Sequence, residues 1–391
     1  MLKLSAILLM ATTCLFVTAQ ERQSGQFYFI DTHNDVLSKQ ILTGADLSVD
    51  QPLFNFDLLK AGKGALVAQV FSIWCGEEFG KGKAFARANV EIDSLMALIA
   101  RNPGRMKFVV NSKELVKAIK QKKLAAMIGV EGGHMIEDRI DLLDSLIHRG
   151  IKYLTLTWNN STTWATSARD EETKSDSLPQ KGLTDMGKEI VRKLNKEGVM
   201  IDLSHAGEKT FSDVIATSTK PVIASHSCVY TLAPHRRNLK DWQLKAIAEN
   251  GGVVFVNFYS GFLDSTYERK TIAFLNKHTS DLDSLTRISA DSDMAKIRLF
   301  SIFPEETSSF RPPLSALIKN IDYIVKLIGV EHVGIGADFD GAESFPINMN
   351  DVSCYPVIAT ELKKLGYSNS SIKKIASQNF IRVLKANERK L

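Results

Sequence analysis

The sequence predicts an α/β protein built as one (β/α)8 barrel of the TIM type, and three observations lead to this fold class. Eight short apolar runs recur along the chain, separated by amphipathic segments. Several runs are apolar throughout, as expected of parallel strands that helices cover on both faces. No glycine-rich phosphate loop follows the first run, which argues against the alternative, an open doubly wound sheet. The predicted strands are residues 27–32, 65–73, 125–130, 152–157, 199–203, 221–225, 253–258 and 332–337.

Helical periodicity is present in the segments between these strands. Asn111 with Glu114 predicts a capping box, Gly198 predicts a helix end, and Asp241 predicts an N-terminal cap. Alternating strands and helices, with helices covering every strand, are typical of a (β/α)8 barrel. The active site of such a barrel lies at the C-terminal ends of its strands. The apolar series are Phe85–Ala88–Ile92–Met96–Ile99, Met186–Ile190–Leu194 and Leu244–Ile247–Ala248.

A long segment after the seventh predicted strand breaks this rhythm. Residues 260–313 far exceed an ordinary βα loop, and they mix charged with aromatic and aliphatic residues. We therefore expect an insertion that contains two or three extra helices. Because it leaves the C-terminal end of a strand, it is predicted to lie over the active-site mouth, although a peripheral or dimer-contact position is an equal alternative.

The first 19 residues have the pattern of a secretory signal peptide. Lys3 supplies a positive charge, residues 6–17 are apolar, and small residues up to Ala19 form a cleavage site. The apolar run is too short to span a bilayer comfortably, and no second long run follows it. The sequence thus predicts a secreted or periplasmic protein without a stable membrane anchor, whose residues 20–391 form a single domain.

Charge and cysteine content argue against other classes of protein. A net charge of +5 over 391 residues is mild and the basic residues are scattered, so no nucleic-acid partner is expected. Removal of the signal peptide leaves Cys75, Cys228 and Cys354, an odd number. Disulfides are therefore not expected to be the main source of stability.

Potential metal ligands stand at the ends of five predicted strands. His33 and Asp35 are two residues apart after the first strand, so their side chains point to the same face. A single such residue is usually structural, but the ends of barrel strands meet at one rim. Imidazole nitrogens and carboxylate oxygens gathered there suit a divalent metal. The full set is His33, Asp35, Glu131, His205, His226 and Asp338.

These residues and their flanks resemble the membrane dipeptidase family of zinc peptidases, peptidase family M19, from about Phe29 to Leu384. The resemblance implies a barrel of the metal-dependent amidohydrolase type in a bacterial-type secreted member. It is carried by DTHND at 31–35, GVEGGH at 129–134, IDLSH at 201–205, PVIASHS at 221–227 and GIGADFDG at 334–341.

The resemblance also implies a binuclear zinc site. His33 and Asp35 would hold one ion, His205 and His226 the other, and Glu131 would bridge the two. Such a pair activates a bridging water for attack on the scissile carbonyl. The family's general base and acid corresponds to Asp338, which would carry the water's proton to the leaving amine. Glu131 and Asp338 are therefore the expected catalytic residues.

Substrate binding resembles the family less completely. Arg237 matches the arginine that holds the substrate's C-terminal carboxylate, a task suited to a guanidinium. Trp158 stands where mammalian members have a substrate-contacting histidine, so turnover or side-chain preference is expected to differ. Cys75 matches a disulfide cysteine whose partner position is Asn160, and we predict that it is unpaired. His134 either orients a metal ligand or is an ordinary core or surface residue. The family further implies a homodimer.

We expect a zinc dipeptidase that cleaves small dipeptides with a free C-terminal carboxylate, including those with a C-terminal D-residue. One alternative is another metal-dependent amidohydrolase, acting on N-acyl amino acids or lactones. A second is a catalytically inactive barrel that binds peptides between Arg237 and Trp158. The presence of every ligand-type residue and of Asp338 favours the enzyme.

Overall fold

The computed structural model describes residues 27–288 and 292–389, so the predicted signal peptide lies outside the described residues. Nearly all strand residues are buried, as the continuous apolar runs predict. The described part contains nine strands: β1 (Phe29–Asp31), β2 (Leu66–Ile73), β3 (Met106–Phe108), β4 (Leu124–Glu131), β5 (Ile151–Thr155), β6 (Met200–Asp202), β7 (Ile223–Ser227), β8 (Val253–Val256) and β9 (Val333–Ile335).

Eight of these strands form a closed parallel barrel. Their order is β1, β2, β4, β5, β6, β7, β8 and β9, and β9 pairs again with β1. The predicted (β/α)8 fold is therefore confirmed. Each of the eight predicted runs overlaps one barrel strand, and six of the strands are shorter than their runs.

Strand β3 is the element that the sequence pattern missed. It pairs in parallel with residues 124–126 of β4, whereas β5 pairs with residues 128–131 on the other half of the same strand. β3 has only three residues, and Met106 alone is fully buried. A run this short, with a lysine at its centre, carries no apolar signal that could have predicted a strand.

Helices surround the barrel and lie between its strands. Short 3₁₀ segments occur at Glu77–Phe79, Gly133–Ile136, Val330–His332 and Val352–Cys354, and a π-helical turn, Lys374–Gln378, joins the last two helices. The α-helices of the described ranges are α1 (Val36–Thr43), α2 (Leu58–Lys63), α3 (Ala84–Arg101), α4 (Ser112–Lys120), α5 (Ile140–His148), α6 (Ala168–Thr173), α7 (Asp185–Glu197), α8 (Glu208–Thr217), α9 (Asp241–Glu249), α10 (Ser260–Leu263), α11 (Tyr267–Lys277), α12 (Thr279–Ile288), α13 (Ser292–Ile302), α14 (Pro304–Ser308), α15 (Leu314–Ile328), α16 (Tyr355–Lys364), α17 (Asn369–Lys373) and α18 (Asn379–Asn387).

Two of the predicted helix ends are confirmed and one is wrong. The Asn111 side chain accepts a hydrogen bond from the Glu114 backbone at 2.8 Å, and Gly198 ends α7 in the left-handed conformation with φ 72°. Asp241 is the first residue of α9 and not its cap. Its carboxylate accepts a hydrogen bond from the Tyr323 hydroxyl at 2.9 Å. A negative charge in the first turn also stabilises the helix through its interaction with the helix dipole.

The segment after β8 contains five helices, α10 to α14, where the sequence suggested two or three. The difference arises from α10 and α14, single turns of four and five residues that periodicity cannot detect. Tyr267, Phe274, Leu299 and Phe300 form a small apolar cluster of this segment, separate from the barrel core. The insertion therefore has its own packing beside the barrel.

No helix of the described ranges combines the length and apolarity needed to cross a bilayer. Cys75, Cys228 and Cys354 are free thiols, which confirms that Cys75 is unpaired. Burial raises the pKa of the Cys75 thiol to about 12, so it stays protonated at neutral pH.

Candidate active site

All six potential metal ligands lie together at the C-terminal rim of the barrel. Two groups of three have ligand atoms that lie within 4.8 Å of one another: His33 with Glu131 and His226, and His33 with Asp35 and Asp338. Each of these residues lies within four positions of the C-terminal end of its strand. The suppliers are β1 for His33 and Asp35, β4 for Glu131, β6 for His205, β7 for His226 and β9 for Asp338.

Glu131 lies between histidines from different strands. Its Oε1 is 2.9 Å from His205 Nε2 and 3.3 Å from His226 Nε2. Its Oε2 is 3.4 Å from His33 Nε2. One oxygen of this carboxylate therefore faces His205 and His226, and the other faces His33.

The second group surrounds His33. The Nε2 atom of His33 lies 3.5 Å from Asp35 Oδ2 and 4.0 Å from Asp338 Oδ1. Both His33 Nε2 and Asp35 Oδ1 are buried without a hydrogen-bond partner. Buried polar atoms are usually paired, so these two indicate a missing ligand at this point.

Hydrogen bonds determine which nitrogen of His33 carries its proton. Tyr153 has one hydroxyl proton, which it donates to the Thr32 carbonyl at 3.1 Å. The contact of 2.8 Å between Tyr153 Oη and His33 Nδ1 must then be donated by the imidazole. In its neutral form His33 therefore has its proton on Nδ1 and presents Nε2 to the carboxylates.

The other two histidines have the same tautomer. Ser225 donates its hydroxyl proton to Asp202 Oδ2 at 2.6 Å and so accepts one from His226 Nδ1 at 2.8 Å. His205 Nδ1 lies 3.2 Å from the amide oxygen of Asn159, an atom that can only accept. The Nε2 atoms of His205 and His226 are 3.2 Å apart, and both face Glu131. Three Nε2 atoms thus converge on an acidic group, an arrangement that a cation would stabilise.

The electrostatics of His205 and His226 agree with this arrangement. For His33, burial is outweighed by Tyr153 and by the Asp35 and Glu131 carboxylates, which raise its pKa well above the ordinary value, so without a cation its Nε2 holds a second proton that a bound metal would displace. Burial lowers the pKa of His205 to about 3, and burial together with the charge of His33 lowers the pKa of His226 well below its ordinary value. Both imidazoles are therefore neutral at neutral pH and can serve as ligands. The pKa of Asp338 is raised well above its usual range. Burial is the largest cause, and the nearby Asp35 carboxylate is the next.

Several partners of these residues were not predicted. Tyr153, Asp202 and Ser225 hold the histidines, and Asn257 donates to Asp338 Oδ2 at 2.8 Å. The available signal was the occurrence of polar residues inside otherwise apolar strand runs, as at Asp202. Such a residue in a buried strand requires a hydrogen-bond partner.

Arg237 lies beside the metal-ligand cluster. It is 5% exposed, its guanidinium lies 5.3 Å above the Phe262 ring, and its Nε is buried without a partner. Among the described residues its guanidinium donates one hydrogen bond, a long one of 3.4 Å from Nη2 to the His226 carbonyl. Burial lowers the pKa of Arg237 to about 10, so it remains charged at neutral pH and available to an anion.

A cavity of about 420 Å³ lies above these residues and contains both Arg237 and Trp158 in its lining. The Trp158 ring lies 5.1 Å from the Trp74 ring and 6.3 Å from the His205 ring, measured between centroids. The insertion contributes Phe262, Ile272 and Ile297 among other residues to the same wall. Its helices therefore cover part of the mouth.

Two further histidines have contacts that clarify their position. His134 donates from Nε2 to the Cys75 carbonyl at 2.9 Å, and its Nδ1 is buried without a hydrogen-bond partner. His235 lines the cavity and accepts from the Arg237 backbone N–H at 3.1 Å. His235 therefore helps to place Arg237.

The protein-family model described as Membrane dipeptidase (Peptidase family M19) matches residues 19–390 of the chain. The chain belongs to this family. It is therefore a metal-dependent hydrolase of the dipeptidase type, and the predicted enzyme class is confirmed.

One relative and two solved structures resemble the chain over most of its length. An uncharacterized dipeptidase of Schizosaccharomyces pombe is 30% identical over 377 residues, which cover 92% of this chain and 80% of that protein. The probable dipeptidase PvdM from Pseudomonas aeruginosa has 25% identity, covers 93% of this chain and 96% of its own, and superposes with a TM-score of 0.77. A Rhodobacter sphaeroides metallo peptidase, liganded with a phosphinate mimic of L-Ala-D-Ala, has 22% identity, coverages of 93% and 99%, and a TM-score of 0.74.

Proposed function

We propose that this M19 member is a binuclear zinc dipeptidase that cleaves small dipeptides with a free C-terminal carboxylate. The observation that carries the proposal is the convergence of three histidine Nε2 atoms on the two oxygens of Glu131. Without cations, this arrangement brings imidazole nitrogens and carboxylates together in a buried site, which is costly. Bound zinc would remove that cost.

The residues present fit two zinc ions. His33 and Asp35 would hold one, His205 and His226 the other, and Glu131 would belong to both, because its oxygens face different histidines. When bound, two such ions lower the pKa of a water at the site and polarise the scissile carbonyl. Nitrogen and oxygen ligands with fixed tautomers are the donor set that zinc takes.

The remaining steps belong to side chains of this protein. Arg237 would bind the substrate carboxylate, since its guanidinium is charged, buried and almost without protein partners. Asp338 would accept the proton of the attacking water at Oδ1 and deliver it to the leaving amine. Asn257 donates to the other oxygen of Asp338 and so holds the carboxylate in orientation. The indole of Trp158 would bound the substrate and exclude water.

Stereochemistry, location and assembly are further parts of the proposal. The Rhodobacter sphaeroides protein is liganded with a mimic of L-Ala-D-Ala, and we extend acceptance of a C-terminal D-residue to this chain. The pattern of residues 1–19 supports export as a secreted or periplasmic protein. Family resemblance supports a homodimer, which light scattering of the purified protein would test.

The decisive experiment is hydrolysis of L-L, L-D and D-L dipeptides by zinc-loaded protein, with a chelated sample as control. We expect cleavage that requires metal and a free C-terminal carboxylate. Cleavage of N-acyl amino acids or lactones instead of dipeptides would replace this proposal by the alternative amidohydrolase activity. Binding of dipeptides without turnover would indicate the inactive peptide-binding barrel.

Glu131→Gln is the variant that tests the metal site. Loss of the shared negative charge should lower zinc content below the two equivalents per chain expected of the native protein and should reduce kcat by about 100-fold or more. Glu189→Gln, on the exposed face of α7, is the matched control. Metal content by elemental analysis and turnover are measured on both, and native values for Glu131→Gln would refute the bridging role.

A further inference from the structure

A pair of indoles forms one wall of the catalytic cavity. Trp74 immediately follows β2, and Trp158 follows β5 by three residues. Their rings lie 5.1 Å apart at an angle of 59°, and both residues line the cavity that holds Arg237. Two tryptophans in contact present a large, rigid apolar surface that loses little side-chain entropy on binding.

The strand order places Trp74 across the barrel from Arg237, whereas Trp158 follows β5, two strands from β7. In the eight-stranded barrel β2 lies four strands from β7 in either direction, so the two strands are diametrically opposite. Arg237 remains on the β7 side, because its Nη2 bonds to the His226 carbonyl. The potential metal ligands lie between the two sides. A dipeptide whose carboxylate is at Arg237 and whose peptide bond is over these ligands therefore points its N-terminal residue toward Trp74.

Further apolar residues line the same cavity as the indoles. Leu42 of α1 and Ile272 of α11 line the cavity although they are 46% and 52% exposed, and Leu275 lies one turn after Ile272. Large apolar side chains left exposed beside a cavity commonly mark a place that a ligand covers. This region is contributed by β2, β5, α1 and the insertion, so it is built from separate parts of the chain.

The position of Trp74 is fixed by its backbone. Its N–H donates to Glu91 Oε2 at 2.8 Å, and its carbonyl accepts from the Ser38 hydroxyl at 3.2 Å. Glu91 is buried, and its Oε1 lies 3.0 Å from the same hydroxyl oxygen. The wall is therefore pre-organised and requires little rearrangement when a side chain packs against it.

We infer that Trp74, Trp158, Leu42 and Ile272 form a subsite for the side chain of the substrate's N-terminal residue and that it selects bulky apolar side chains. The inference deepens the proposed function and rests on it, because Arg237 as carboxylate anchor decides which end of the dipeptide meets the indoles. Trp158 takes the place of a group that could be charged, and an uncharged wall favours leucine or phenylalanine over glycine at this position.

The test compares two substrate series with native protein and variants. In one series the N-terminal residue varies (Gly-Gly, Leu-Gly, Phe-Gly), and in the other the C-terminal residue varies (Gly-Leu, Gly-Phe). We expect native kcat/KM for Leu-Gly and Phe-Gly to exceed that for Gly-Gly by about tenfold or more. Trp158→Ala and Trp74→Ala should remove most of this preference and leave the ratios in the C-terminal series within about twofold.

Two further variants distinguish local effects from general damage. Ile272→Ser, at a half-exposed position that folding tolerates, should reduce the N-terminal preference by a few-fold. Trp242→Ala removes a tryptophan that is 42% exposed on α9, outside the cavity lining, and should leave every ratio unchanged. Near-ultraviolet circular dichroism of each variant reports whether the fold is intact.

A binding measurement keeps this test separate from that of the proposed function. Calorimetry with phosphinate mimics of Gly-Gly, Leu-Gly and Gly-Leu gives affinities that do not depend on turnover, and the same N-terminal preference is expected. If no dipeptide is cleaved but the mimics show this preference, the proposed activity fails and the subsite stands. Equal affinities of the native protein for the Gly-Gly and Leu-Gly mimics would overturn the subsite. Tryptophan variants that change the kcat/KM ratios only in the C-terminal substrate series would also overturn it.

Discussion

Gly341 is the residue whose lack of a side chain matters most for the acidic cluster. A Cβ added there would lie 2.1 Å from Asp35 Oδ2 and 2.5 Å from Asp338 Oδ1. Gly341→Ala must therefore displace two carboxylates that we place in catalysis. Both oxygens are ends of side chains, so the fold should survive while their geometry changes. We expect kcat/KM to fall by about 100-fold, as misplacement on the order of 1 Å commonly produces.

Gly62→Ala is the matched control for this substitution. Gly62 lies in α2, and its added Cβ meets no atom within 4 Å. Alanine is also the better helix former, so this control should keep native activity and a native or slightly higher melting temperature. Equal activity of the two alanine variants would show that Asp35 and Asp338 do not require their present positions.

The sequence predicted the six potential ligands but not the residues that orient them. His33, Glu131 and Asp338 stand in recognisable local patterns next to strand ends. Tyr153 lies 120 positions from His33 and contacts it across the barrel interior, since β5 and β1 do not pair with each other. Nothing in the sequence around Tyr153 indicates that contact. Through-space partners of this kind require the packed structure.

The ends of the strands show how elements direct functional groups. His205 and Asp338 have φ values of 66° and 63°, a left-handed conformation that is uncommon outside glycine. Each follows a three-residue strand, β6 or β9, at the point where the chain turns away from the ladder. The turn redirects the side chain toward the barrel axis, and the cost of such a conformation is commonly found at functional sites. Sequence periodicity gives no indication of it.

The Glu91 side chain, on α3, contacts the backbone of Trp74 after β2 and the hydroxyl of Ser38 in α1. The titration of Glu91 therefore tests the packing of these three elements. Burial raises the pKa of Glu91 from 4.5 to about 8. The folded protein therefore holds this proton more tightly than the unfolded chain. It follows that the free energy of unfolding decreases as pH rises from about 4.5 to about 8 and then levels off.

Glu91→Gln should remove that decrease, because glutamine does not titrate. Between pH 5 and pH 8 we expect the native protein to lose stability relative to Glu91→Gln, on the order of a few kcal/mol. Urea unfolding at both pH values measures the difference. Glu189→Gln on exposed α7 should follow the native protein, and a parallel response of native protein and Glu91→Gln would contradict the assignment.

At the scale of the whole molecule, closure of the barrel is what assembles the site. His33 and Asp338 lie at opposite ends of the chain, and the hydrogen bond from the Asp338 backbone to the His33 carbonyl, 3.2 Å long, joins them where β9 meets β1. The barrel was predictable because each of its strands is an apolar run. The five-helix insertion was predictable in place but not in detail, since its single turns carry no periodic signal.

Because the potential ligands come from five strands spread around this barrel, metal should stabilise the entire fold. A ligand that binds only the folded state adds stability by mass action, about 4.1 kcal/mol at a free concentration 1,000 times the Kd. Removal of zinc by a chelator should therefore lower the melting temperature by about 5 °C or more. Calorimetry of loaded and chelated protein measures the shift, and zinc added back should restore it. The Glu131→Gln protein should respond much less, because it binds metal poorly. If native protein that has demonstrably lost its zinc melts at the same temperature as the loaded form, the five strand ends do not share a common cation.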